Sequence, residues 1–78
     1  MAGATSRLEV LEAAAEAAYA AMYDAQDSSD ATARYSDAKE ALHDAIGLAA
    51  ALSAGATEQR LRARLAEIKA VFRSQFGR

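Results

Sequence analysis

Asp27-Ser28-Ser29-Asp30 interrupts a chain that otherwise favours helix from end to end. All four side chains compete for nearby backbone groups, so they favour caps and turns over helix interiors. Upstream, Leu8, Leu11, Ala15, Ala18, Met22 and Ala25 recur at spacings of three and four, with Val10 and Tyr19 beside them. That spacing is one face of a helix. Ser6 and Glu9 have the spacing of a capping box, so helix one is expected over residues 6–26. Downstream, Ala31, Tyr35, Ala38, Leu42, Ala45, Ala49 and Leu52 repeat the pattern with Ile46 alongside, giving helix two over residues 30–53. Gly55 is expected to supply the left-handed residue that closes it, and Thr57 to cap the next helix. Helix three, residues 58–76, carries Leu61, Leu65, Ile68, Phe72 and Gln75, widened by Val71 and Phe76, with Gly77 as its stop.

Short connections make successive helices antiparallel neighbours. The expected fold is therefore all-α: an up-down-up three-helix bundle of Ala-rich antiparallel helices, one domain across residues 1–78. Composition agrees. Of the 78 residues 53% are hydrophobic, but 23 of those 41 are Ala, which leaves 18 large side chains and room for a single core. There is no Pro, and without Cys a disulfide framework or a Cys-based zinc site is excluded. No apolar run approaches the roughly 20 residues of a bilayer span, and glutamates break the Ala-rich stretch that a signal peptide would need uncharged. A cytoplasmic protein is expected. The excess of Arg over Lys and the abundance of Ala point to a bacterium.

Charge divides the chain. Residues 1–55 hold nine acids and three bases, whereas residues 56–78 hold two acids and six bases. A basic third helix beside an acidic body is expected to set Arg60, Arg64 or Arg73 against carboxylates of helices one and two. The alternative use of that helix is nucleic-acid binding. Against it, the bases spread around the helix and the domain as a whole is acidic, so nucleic acid is an unlikely partner.

His43 is the only histidine, and Lys39, His43 and Gly47 stand four apart along helix two. The His43–Gly47 pair resembles the histidine phosphotransfer domains, helical bundles in which a Gly four residues after the phosphorylated His gives a response regulator room to approach. The resemblance implies His43 as phosphoacceptor of a signalling module. It departs at Ile46, where those domains usually carry Lys, and at Asp44, an acid beside the would-be phosphoryl group; Lys39 offers a substitute cation. Glu40 and His43 have the Glu-x-x-His spacing of di-metal bundles, but Glu40 falls on the polar side of the Leu42 stripe, and solvated charge explains it and the Glu12/Glu16 pair better. Tyr19, Tyr23 and Tyr35 read as an aromatic plug at one end. No nucleophile, base and oxyanion donor converge, so neither catalysis nor a cofactor or metal is expected.

Tyr23, Leu48, Val71 and Phe76 are sizeable apolar side chains off the main stripes. With so thin a core, they suggest a self-association surface. The function expected is that of a small helical interaction or assembly module, most simply a homodimer, with another protein helix as partner and no membrane.

Overall fold

The computed structural model describes the backbone of residues 2–76 and the side chains of residues 6–76. Three helices carry it: α1 (Ala2–Tyr23), α2 (Ser28–Ala51) and α3 (Gly55–Gln75). Among the described residues there is no strand, and the protein is all-α.

The break lies slightly ahead of its expected place. α1 closes with two tightened bonds, from the Asp24 N–H to the Ala21 carbonyl (3.1 Å) and from the Ala25 N–H to that of Met22 (3.3 Å). Asp27 is extended, and its Oδ1 accepts from the Asp30 N–H at 2.8 Å. Asp30 answers by accepting from the Gln26 N–H at 3.2 Å. Two orphan donors are thereby satisfied, and Asp30 stands at the positive end of the helix dipole. Asp27 rather than a later residue is the cap, so α2 begins at Ser28. At the other end of the chain α1 already runs from Ala2, which puts Ser6 inside the helix and removes its expected role as a cap. Ala2 and Ala4 favour that extension.

The turn into α3 overturns another expectation. The Ser53 N–H donates to the Ala50 carbonyl (3.0 Å) and the Ala54 N–H to that of Ala49 (2.9 Å), the paired bonds of a Schellman motif. Their geometry puts the left-handed residue at Ser53, φ 56°, whereas Gly55 opens α3 with no positive φ. Ala54 precedes α3 without a side-chain cap bond, and Thr57 lies within the first turn. The α3 exit is closed by the Phe76 N–H on the Phe72 carbonyl (2.8 Å); Gly77, its expected stop, lies outside the described residues. A Cβ in the left-handed region is crowded by the following carbonyl. Ser53→Gly is therefore expected to stabilise the fold by about 0.5–1 kcal/mol, the relief outweighing the greater freedom of Gly in the unfolded chain. Thermal denaturation checks this as a rise in midpoint of a few degrees; a fall would contradict it.

Burial follows the apolar stripes. Leu8, Ala15 and Met22 of α1, six residues of α2 from Ala31 to Ala49, and Leu61, Leu65 and Ile68 of α3 are buried. Five of these twelve are alanines, and α2 packs along both α1 and α3. Leu52 leaves the stripe, 44% exposed, because α2 ends at Ala51. The described residues bury no polar or charged side chain. The molecule is elongated. Its longest dimension is 41 Å and its radius of gyration 13.0 Å, against about 11.5 Å for a compact chain of this length.

Candidate functional site

The helices present three features: a charged seam between α1 and α3, an aromatic row, and an open face on α2.

Arg60 of α3 grips Glu12 of α1 through both guanidinium NH2 groups (2.8 and 3.1 Å), and Arg64 grips Glu16 through Nε and one NH2 (2.8 and 2.6 Å). Both pairs are bidentate, the directional form of the contact. Arg64 also lies 4.9 Å from the Tyr19 ring centre and 3.6 Å from Glu67. Beneath the pairs runs a groove of about 520 Å³ that reaches Leu42 and Leu61. The charge split had pointed to Arg60, Arg64 or Arg73 in this role. Arg62 instead pairs within α3, with Glu58 at 2.7 Å, and Arg73 makes no ion pair among the described residues.

The hydrogen bond from Arg64 holds the Glu16 carboxyl below its ordinary 4.5, against the opposing effect of partial burial. A lowered folded pKa means that the pair contributes fully above the ordinary value and loses its contribution as pH falls through the folded one. Glu16 is about half exposed, so the coupling is small. A double-mutant cycle with Glu16→Gln and Arg64→Met is expected to give below about 1 kcal/mol at neutral pH, vanishing in acid. Coupling that grew on acidification would contradict the assignment.

The five aromatic rings form one row. Tyr19 meets Tyr23 edge-on (5.7 Å between ring centres), Tyr23 meets Phe76 likewise (5.6 Å), Phe76 lies near-parallel to Phe72 (5.9 Å), and Phe72 stacks flat on Tyr35 (3.9 Å). The sequence had grouped the tyrosines alone; Phe72 and Phe76 join them because the last turns of α1 and α3 meet the early turns of α2. The hydroxyls of Tyr19 and Tyr23 are 3.3 Å apart. Of the four residues read as an interaction surface, Tyr23 and Phe76 touch, and Tyr23 alone is exposed, at 51%. Leu48 packs against the core, and Val71 is half-buried on α3.

On α2, His43 and Gly47 are both exposed, and a Cβ at Gly47 would meet no other part of the chain within 4 Å. Gly47 therefore serves no close helix crossing within the chain. Lys39 does not attend His43: its ammonium lies 4.6 Å from the Tyr35 ring centre, one turn the other way. Helical side chains lean toward the N-terminus, and the ring face attracts the cation. Glu40 and Asp44 are exposed beside His43, and among the described residues no three His, Asp or Glu side chains gather as metal ligands would.

A feature the sequence reading passed over is the outer side of α1. Val10 is 65% exposed there, and Ala13, Ala14, Ala17 and Ala20 are exposed with it. The signal was present in the residue spacing, but Val10 had been read as flanking the core stripe. No helix of the described residues is long and apolar enough to cross a membrane. Comparison with known protein families, with curated proteins and with solved structures finds no match.

Proposed function

We propose that the chain is a small, non-enzymatic helical assembly module of the bacterial cytoplasm, an up-down-up bundle whose partner is another helix, its own copy included. The order of the helices is supported by the two Arg–Glu pairs. Both join residues 48 apart, so α1 and α3 advance together, with α2 returning between them. The observation that carries the assembly reading is the outer side of α1. Its two mid-helix acids, Glu12 and Glu16, are turned to α3, which leaves Val10, Ala13, Ala14, Ala17 and Ala20 as an uncharged exposed face. Such a contiguous apolar surface on so small a domain is characteristic of a contact site. Association linked to folding raises the melting point with concentration. The thermal midpoint is expected to climb by a few degrees from about 10 to about 500 µM; a midpoint independent of concentration would remove self-association.

A second reading, phosphotransfer through His43, draws on the exposed imidazole and the open surface at Gly47. It predicts that His43 is phosphorylated by a small-molecule phosphodonor and that His43→Gln abolishes the label; an unlabelled wild-type chain dismisses it. Nucleic-acid binding is the weaker alternative, because Arg60 and Arg64 are engaged by α1.

A further inference from the structure

Arg7, Val10, Ala14, Ala17, Ala21 and Asp24 follow one another at spacings of three, four, three, four and three, a second heptad stripe on α1. It points away from the core stripe of Leu8, Ala15 and Met22. All six residues are exposed except Ala21, which is half-buried. The stripe opens on a cation and closes on an anion, and neither Arg7 nor Asp24 has an ion-pair partner among the described residues. Asp24 directly follows the carbonyl end of α1, where the helix dipole disfavours an acid.

We propose that this stripe is the seat of a second copy of the chain, whose own α1 packs on it antiparallel about a two-fold axis between Ala14 and Ala17. The proposal rests on the self-association reading above and names its surface. Charge selects the direction. A parallel pair sets Arg7 against the partner's Arg7 and Asp24 against the partner's Asp24. An antiparallel pair sets Arg7 against the partner's Asp24 at both ends, and the misplaced acid gains a cation. A two-fold contact requires that if one residue meets another, the second meets the first. The register that joins Arg7 to the partner's Asp24 satisfies this, bringing Val10 onto the partner's Ala21 and Ala14 onto the partner's Ala17. Alanine at the seam allows the two helices the close end of the usual 8–10 Å separation. A single helix face offers less than the roughly 800 Å² per partner of a standard interface, so the contact belongs to the weak, transient class.

The test uses the full chain and light scattering after size exclusion, with helix content followed by circular dichroism. Ala17→Glu sets two carboxylates beside the axis and, because Glu is a good helix former, leaves the monomer folded. It is expected to weaken association by at least about tenfold. Arg7→Asp and Asp24→Arg each place like charges together across the seam and should each weaken association several-fold. The double variant exchanges the two charges and should restore it. Dimerisation of the wild type that survives Ala17→Glu and both single reversals would overturn this surface and leave the self-association reading standing. A wild type that is monomeric at every concentration would overturn both.

Discussion

Ile68→Ala is expected to cost about 2–5 kcal/mol, a large part of the roughly 4–12 kcal/mol available to a domain of this length. Ile68 is fully buried, and α3 anchors itself on α2 through only three buried side chains, Leu61, Leu65 and Ile68. The cost of a large-to-small change depends on how far neighbours relax into the space. The core cluster to which Ile68 belongs is rich in alanine, with Ala15, Ala38, Ala45 and Ala49 among its members, and alanine methyl groups have no rotamer by which to follow. The cavity should persist, and the measured value should fall in the upper half of that range. Urea denaturation reads it as a lower midpoint with an unchanged slope. A loss below about 1 kcal/mol would mean that α3 is not docked on α2 through this stripe.

The second large effect comes from the opposite change. Ala38→Leu adds three heavy atoms at a fully buried position on the α2 core stripe. Leu and Ala have nearly equal helix propensity, so the local term is close to zero. What remains is overpacking, about 1–3 kcal/mol, because Ala38 is fully buried within the core cluster. Ala33→Leu, on the exposed side of the same helix, is the control and should stay within about 0.5 kcal/mol of the wild type. Equal effects at the two positions would contradict the assignment of faces to α2.

The core faces were legible in the sequence because period and side-chain bulk together pick them out. Leu8, Ala15, Leu42, Leu61 and Ile68 are buried where the three-four spacing put them. Helix ends were less legible. Asp24, Asp27, Ser28, Ser29 and Asp30 all offer capping oxygens, and only the full set of hydrogen bonds distinguishes Asp27 from the rest. Ser53 was passed over for Gly55 because steric cost favours Gly, yet the last carbonyls of α2 determine which residue turns left-handed. The charge split pointed to Arg60, Arg64 or Arg73 against carboxylates of the first two helices; Arg60 and Arg64 meet α1, and Arg73 makes no ion pair among the described residues. It said nothing of Lys39, whose ammonium turns to the Tyr35 ring, nor of Phe72 flat on Tyr35, because such contacts depend on the axial register between helices. The second stripe of α1, from Arg7 to Asp24, was legible in period but overshadowed by the bulkier core stripe beside it.

Sedimentation equilibrium of the unmodified chain at neutral pH, over concentrations from about 10 to about 500 µM, tests the assembly reading most directly. The weight-average mass is expected to rise from the 8.2 kDa of one chain toward twice that value, with added salt weakening the rise because Arg7 and Asp24 are exposed. A mass that stays at 8.2 kDa throughout would contradict it.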